Sequence, residues 1–287
     1  MNILVTGSNG QLGSALRKEA SNFSNDHFMF TDITELDITS EAEVKRFFSA
    51  NKPDCVINCA AYTAVDQAES EQANANLLNA TAVRHLAEAS TKIGALIIQI
   101  STDYVFDGKN CRPYKESDPT NPKTSYGKSK LNGELEVIFN AGRSVIVRTS
   151  WLYSEYGHNF VKAIMNKAIK GETLKVVADQ AGTPTYATDL AKALLTMIPQ
   201  VPSKIRGKIY NYSNEGICSW YDFAKAVTEF MGRDHEVIPI MSHELKNPAA
   251  RPHYSVLDKT SIKKDFGLCI PHWRQSLQQC IQHLLEV

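Results

Sequence analysis

The stretch Gly7-Ser8-Asn9-Gly10-Gln11-Leu12-Gly13 separates a strand-like run at residues 2–6 from an amphipathic, helix-like run that begins at Gln11. Glycines at such a turn let the backbone come close to a phosphate group, which the free N–H groups of the next helix then bind. Asp32 follows Gly13 by 19 residues, at the end of the second strand-like run, where an acid that binds a ribose belongs. This stretch therefore predicts a β-α-β unit that binds a dinucleotide.

Strand-like and helix-like runs alternate through the first half of the chain. We predict strands at residues 2–6, 27–31, 54–59, 95–101 and 144–149. Helices are predicted at residues 11–20, 41–50, 71–91 and 125–140. This alternation is typical of an α/β fold, here a Rossmann-like, doubly wound parallel sheet with helices on both of its faces.

The pattern changes after about residue 150, where loops that contain proline interrupt the helices, among them Asn247-Pro248 and Arg251-Pro252. Residues 1–150 are expected to form an NAD(P)-binding Rossmann domain, to which the chain returns around 184–213. Residues 151–287 are expected to be mainly a smaller, partly helical substrate-binding lobe.

The composition limits the classes of function. The chain has 31 Lys and Arg residues against 31 Asp and Glu residues, so nucleic-acid binding, which needs a basic excess, is not expected. No apolar run approaches the roughly 20 residues that span a bilayer, and no basic leader precedes the first strand. We therefore expect a cytoplasmic protein with no membrane contact. Its six cysteines and eight histidines form no metal-binding motif, so no metal site is expected.

Two residues of the helix-like run at 125–140 have the spacing of an acid/base pair. Tyr126 and Lys130 are four residues apart, so they share one face of a helix. The Lys130 cation favours a tyrosinate and is expected to pull the pKa of Tyr126 down from its usual value of about 10. Thr102 follows the fourth strand, at the sheet edge where ligands of parallel sheets bind. These three residues predict proton transfer on a carbonyl–alcohol pair.

The glycine spacing, together with Tyr126 and Lys130, resembles the extended short-chain dehydrogenase/reductase superfamily. Further segments resemble the dTDP-4-dehydrorhamnose reductases in particular, in order and as far as about residue 285. Those segments are residues 58–69 (NCAAYTAVDQAE), 101–108 (STDYVFDG), 148–153 (RTSWLY), 179–185 (DQAGTPT) and the late Arg251-Pro252.

This resemblance implies reduction of the C4 keto group of dTDP-4-dehydro-L-rhamnose to dTDP-L-rhamnose by NADH or NADPH. The product is a precursor of cell-surface polysaccharides such as the lipopolysaccharide O-antigen, and a homodimer is allowed. Tyr126 is then the proton donor, assisted by Lys130 and Thr102. The implied cofactor-binding residues are Gly7, Gly10, Gln11, Leu12, Gly13, Asp32, Asp37, Ile38, Ala60, Ala61, Thr63, Tyr126 and Lys130. The implied substrate-binding residues are Thr102, Asp103, Trp151 and Arg251.

Related proteins leave alternatives open. Nucleotide-sugar 4,6-dehydratases need an additional acid after a Thr-Asp pair, and here Tyr104 follows Asp103. Another nucleotide-sugar reductase or a 4-epimerase would share most of the motifs. The alternative from a different class is a non-catalytic, nucleotide-binding subunit such as the regulatory subunit of methionine adenosyltransferase, which resembles the same reductases. Turnover of a nucleotide sugar separates the enzyme from the subunit.

Two expectations concern the cofactor and metal ions. No Lys or Arg lies between Phe28 and Ser40, whereas Asp32 is acidic, so NADH is expected to work at least as well as NADPH. Some reductases of the resembling family pair their subunits through Mg²⁺ and carry a Glu at the position of Ala15. Alanine offers no oxygen ligand, so we expect activity, and any dimer, to persist without a divalent ion.

Overall fold

The computed structural model describes residues 1–232, 235–245 and 249–286. The predicted loop at Asn247-Pro248 lies outside these ranges. Within them, no helix has the length and apolar character that crossing a membrane requires.

Six parallel strands form the central sheet, in the order β2-β1-β3-β4-β5-β10. In register, Leu4 of β1 lies between Met29 of β2 and Val56 of β3. The Rossmann-like α/β prediction is confirmed. The six strands are β1 (Asn2–Thr6), β2 (His27–Thr31), β3 (Cys55–Asn58), β4 (Leu96–Thr102), β5 (Arg143–Thr149) and β10 (Lys208–Asn211).

Helices cover both faces of this sheet, which is why every residue of β3 and β4 is buried. Alternate side chains of β1 show the division, since Ile3 and Val5 join one apolar cluster and Leu4 joins another. On the first face lie α1 (Gln11–Glu19), α7 (Ala187–Met197) and α9 (Thr260–Phe266). On the second face lie α2 (Glu41–Asn51), α4 (Ala82–Ile93) and α5 (Ser125–Asn140).

The remaining elements surround a separate apolar cluster above the carboxyl ends of the strands, which we call the second lobe. Its helices are α6 (Phe160–Ile169), α8 (Trp220–Phe230) and α10 (Trp273–Leu285). Three two-stranded ribbons connect them: β6 (Leu152–Tyr153) with β9 (Thr185–Tyr186), β7 (Leu174–Val177) with β12 (Val237–Ile240), and β8 (Ala181–Gly182) with β11 (Cys218–Ser219). Strands of two residues leave no periodic pattern in a sequence.

The helix predicted at residues 71–91 is interrupted in its middle. It consists of α3 (Gln72–Asn76), a π turn at Leu77–Thr81 and then α4. Asn79 in the π turn is buried, and its side chain holds the backbone N–H and carbonyl groups of Tyr62 at 2.9 and 3.1 Å. The π turn therefore supports the segment that follows β3, a common association of π turns with functional sites.

Candidate active site

A cavity of about 970 Å³ lies at the carboxyl ends of β1, β3, β4 and β5, between the sheet and the second lobe. This is the edge at which parallel α/β sheets bind ligands. Its walls contain every residue predicted to bind cofactor, bind substrate or act in catalysis, with the single exception of Arg251.

The glycine-rich turn gives the cavity a wall made of backbone. Gly7 has a φ of +63°, and a Cβ there would lie 2.7 Å from the backbone of Ala60. A Cβ on Gly13 would lie 2.5 Å from the carbonyl oxygen of Gly7. Helix α1 begins at Gln11, and its N-cap, Gly10, provides no side-chain cap, so the first N–H groups stay available. This cradle fits the pyrophosphate of a dinucleotide.

The adenosine end of the cradle carries charges of both signs. The Asp32 carboxylate accepts hydrogen bonds from the N–H groups of Asn9 (3.0 Å) and Ile33 (2.9 Å). The Arg17 guanidinium donates to the Ser8 hydroxyl at 3.0 Å. Sequence reasoning missed Ile33, whose side chain is 72% exposed at the cavity mouth. The signal available in the sequence was a large apolar residue directly after Asp32.

Tyr126 lies in the first turn of α5, which Thr124 caps by accepting a hydrogen bond from the N–H of Gly127 at 3.0 Å. Burial raises the pKa of Tyr126 to about 12; the nearby Thr102 hydroxyl opposes this rise and the Asp103 charge adds to it. The predicted shift toward neutrality is thus wrong for this structure. The reason is desolvation, which disfavours the tyrosinate.

Lys130 is buried, and its Nζ atom donates a hydrogen bond to the carbonyl oxygen of Ile100 at 2.7 Å. Burial lowers the pKa of Lys130 to about 8, whereas the charge of Glu134, one turn further along α5, acts to raise it. Glu134 accepts hydrogen bonds from the Arg148 guanidinium at 2.6 and 2.8 Å and from the Ser101 hydroxyl. Glu134 therefore joins α5 to β4 and β5 beneath the cavity. Sequence reasoning missed Glu134, although it follows Lys130 by four residues, just as Lys130 follows Tyr126 by four.

Asp103 is also buried, directly after Thr102, and its Oδ1 atom accepts a hydrogen bond from the Thr102 hydroxyl at 3.0 Å. Burial raises the pKa of Asp103 to about 7, and the hydrogen bond from Thr102 limits this rise. The carboxyl group can therefore change protonation state near neutral pH.

Trp151 lines the cavity in a left-handed backbone conformation, with a φ of +48°. Its ring stacks on Trp220 of α8, with ring centroids 3.6 Å apart and planes 10° from parallel. Gly182 lies so close that a Cβ there would be 2.6 Å from the Trp151 ring. Sequence reasoning missed Trp220, because only the fold brings α8 to β5. The two indoles form an apolar wall.

Arg251 is the one predicted site residue that the cavity wall lacks. Its Nη2 atom is 2.6 Å from Oδ2 of Asp66, and Asp66 also accepts a hydrogen bond from the N–H of Ala249 at 3.2 Å. The Nη1 atom of Arg251 is buried and has no hydrogen-bond partner among the described residues. The structure thus pairs Arg251 with a carboxylate next to the cavity.

The position that carries a Glu in some reductases of the resembling family lies inside this protein, since Ala15 is buried on α1. Across residues 1–232, 235–245 and 249–286, no group of three or more His, Cys, Asp or Glu side chains is arranged to hold a metal ion.

Comparisons with known proteins match along the whole chain. The family model of the RmlD substrate binding domain matches residues 1–286. The chain is 41% identical over 280 residues to the spore coat polysaccharide biosynthesis protein SpsK of Bacillus subtilis, covering 98% of this chain and 96% of SpsK.

Two solved structures share both sequence and fold with this chain. A dTDP-4-dehydrorhamnose reductase from Clostridium acetobutylicum is 43% identical, with a TM-score of 0.95 and coverage of 100% of both chains. The dTDP-4-dehydrorhamnose reductase from Bacillus anthracis, solved in complex with NADP, is 38% identical with a TM-score of 0.94, covering 98% of this chain and 99% of that one.

Proposed function

Because the chain belongs to the RmlD family of dTDP-4-dehydrorhamnose reductases, we propose that it reduces the C4 keto group of dTDP-4-dehydro-L-rhamnose with NADH or NADPH. The product, dTDP-L-rhamnose, serves polysaccharide synthesis. The observation that carries this proposal is the shared cavity, in which the glycine cradle, Tyr126, Lys130 and Thr102 line one continuous surface.

The proton of the reaction is assigned to Tyr126. A bound dihydronicotinamide supplies the hydride for the keto carbon. Tyr126 holds its proton firmly at neutral pH, because burial raises its pKa to about 12. A phenol that stays protonated acts as the acid for the oxygen at C4, which gains negative charge during reduction. The Thr102 hydroxyl, which donates its proton to Asp103 in this structure, would turn that proton toward the C4 oxygen and orient it.

Lys130 supplies positive charge beside the reacting groups. Its Nζ atom makes one hydrogen bond, to Ile100, at 2.7 Å. An ammonium group has three donors, so two remain for the ribose of the nicotinamide and for the region of Tyr126. The cation stabilises the tyrosinate that forms after proton transfer.

The sugar and its nucleotide are assigned to the second-lobe side of the cavity. The wall of Trp151 and Trp220 offers apolar surface to the 6-deoxy carbon of the sugar. Arg251 is assigned to the diphosphate, for which a guanidinium fork is well shaped. Its unpartnered Nη1 atom supports this role, although the group must exchange part of its contact with Asp66.

The test is turnover of the purified protein with enzymatically prepared dTDP-4-dehydro-L-rhamnose. We expect stoichiometric oxidation of NADH or NADPH, with dTDP-L-rhamnose identified by NMR. Binding of both ligands without oxidation would support the regulatory-subunit alternative. A product that differs in configuration at another carbon would support a different nucleotide-sugar reductase or an epimerase.

A cytoplasmic location and a homodimer stay predictions. Cell fractionation tests the first. Sedimentation before and after treatment with EDTA tests the second, together with the expected independence of dimer and activity from Mg²⁺.

A further inference from the structure

The side chain of Gln11 leaves the cofactor cradle and contacts the second lobe. Its Oε1 atom accepts hydrogen bonds from the Ser154 hydroxyl and from the Asn159 side-chain amide, each at 3.0 Å. Its Nε2 atom donates to the carbonyl oxygen of Leu152 at 3.5 Å. All of these contacts join the first residue of α1 to the segment 152–159.

Residues 152–159 enclose the side chain of Gln11. Ser154 is fully buried and Asn159 is 7% exposed. Asn159 also caps α6, since its Oδ1 atom accepts a hydrogen bond from the N–H of Lys162 at 3.1 Å. Gly157 has a φ of +61°, and a Cβ there would lie 3.4 Å from Cγ of Gln11. The amide of Gln11 thus reaches the start of a second-lobe helix.

The two ends of Gln11 serve different parts of the cavity. Its backbone N–H belongs to the first turn of α1, which is assigned to the pyrophosphate of the dinucleotide. The segment that its side chain holds follows Trp151 directly and lines the cavity through Leu152, Gly157 and Asn159. A ligand that orders the first turn of α1 therefore also orders the segment beside the proposed sugar site.

We propose that Gln11 is a positioning residue that couples dinucleotide binding to nucleotide-sugar binding. The coupling runs from the cradle through the amide of Gln11 to Ser154 and Asn159, and it rests on the proposed function. Coupling between two sites is reciprocal, so each ligand tightens the binding of the other by the same factor. Two neutral hydrogen bonds, one of them shared because the Ser154 hydroxyl also lies 3.0 Å from the carbonyl oxygen of Tyr156, support a factor of about ten.

The experiment measures NADH binding by fluorescence, with and without saturating dTDP as the probe of the nucleotide-sugar site. In the wild type, dTDP is expected to tighten NADH binding about tenfold. Gln11→Ala keeps the backbone N–H, and the readout is the ratio of the NADH affinities with and without dTDP, so a change in basal NADH binding does not enter it. The effect of dTDP on NADH binding should fall to a factor near one.

Two further variants control for general damage to the protein. Ser154→Ala removes a contact from the other side and should lower the coupling factor, with no further loss when it is combined with Gln11→Ala. Lys18→Ala, on the exposed face of the same helix, should leave the factor unchanged. Melting temperatures report whether each variant is folded.

The outcomes separate the two proposals. If the wild type binds NADH and dTDP without mutual effect, or if Gln11→Ala keeps the full coupling factor, the role of Gln11 is overturned and the proposed reaction is untouched. If Gln11→Ala weakens NADH equally with and without dTDP, Gln11 is only a cofactor contact. If the wild type binds no dTDP at all, both the coupling and the proposed substrate are wrong.

Discussion

The Nζ atom of Lys130 lies 2.7 Å from the main-chain carbonyl oxygen of Ile100, inside the protein and beneath the candidate site. This contact ties the second turn of α5 to the end of β4. The contact places a buried cation between two groups. Tyr126 lies on its cavity side, and the Glu134–Arg148 ion pair lies on the side away from the cavity. The state of Lys130 therefore affects both the chemistry and the pH range of the protein.

The first prediction is an alkaline limit to activity. Burial disfavours the charged form of Lys130 and lowers its pKa to about 8, so the cation is present below that pH and lost above it. We expect kcat/KM to fall as the pH rises through about 8. The charge of Glu134 acts to raise the pKa of Lys130, so Glu134→Gln should move the limit to lower pH. A wild-type profile that stays flat to pH 10 would contradict this account.

Asp103 gives a prediction for stability. The pKa of Asp103 is about 7 in the folded protein, compared with 3.8 in the unfolded chain. Between pH 3.8 and pH 7, the folded protein therefore keeps a proton on Asp103 that the unfolded chain has released. The stability of the wild type relative to Asp103→Asn should then decrease as pH rises from 4 to 7 and level off above 7. Over this pH range the free energy of unfolding of the wild type should fall by up to about 4 kcal/mol relative to that of the variant. Urea unfolding at pH 4, 6 and 8 measures it. A difference that does not vary with pH would show that Asp103 does not titrate in this way.

Cofactor preference follows from the charges at the adenosine end. Asp32 repels a 2′-phosphate, whereas Arg17, held 3.0 Å from the Ser8 hydroxyl, attracts it. We expect kcat/KM with NADH to be at least equal to that with NADPH. Arg17→Ala should lower kcat/KM with NADPH about tenfold and leave that with NADH within about twofold, because only NADPH carries the phosphate. A wild-type kcat/KM that is ten times higher with NADPH than with NADH would contradict this prediction.

The ion pair of Arg251 and Asp66 leads to a prediction for substrate binding. Arg251→Ala should raise KM for the nucleotide sugar about tenfold or more, with little change in the affinity for NADH, because a diphosphate contact is lost. Arg112→Ala is a matched control, since Arg112 forms a comparable pair with Asp118 at the surface, away from the cavity. Equal KM values for the two variants would remove Arg251 from the site.

The sequence was sufficient to predict features that depend on neighbouring residues or on a periodic pattern along the chain. The helix at 125–140 and the strand at 27–31 have the predicted limits, because capping and apolar periodicity define them. The glycine cradle was found for the same reason, since its backbone geometry needs glycines at fixed positions.

The rest depends on contacts between distant parts of the chain. Trp220 reaches Trp151 only because β8 and β11 pair, and Arg251 finds Asp66 across 185 residues. The pKa of Tyr126 depends on how deeply α5 packs against β4, a degree of burial that the spacing of Tyr126 and Lys130 does not contain. Sequence patterns identified the residues, and the fold decides their environment.

The most direct test of the account is the turnover of Tyr126→Phe with dTDP-4-dehydro-L-rhamnose and NADH. The variant keeps the ring, and with it the edge-to-face contact with Tyr104, but it has no proton to donate. We expect kcat to fall by about 10²–10⁴-fold while the affinity for NADH, measured by fluorescence, stays near that of the wild type. Turnover of Tyr126→Phe within a few-fold of the wild-type rate would contradict the assignment of Tyr126 as the proton donor.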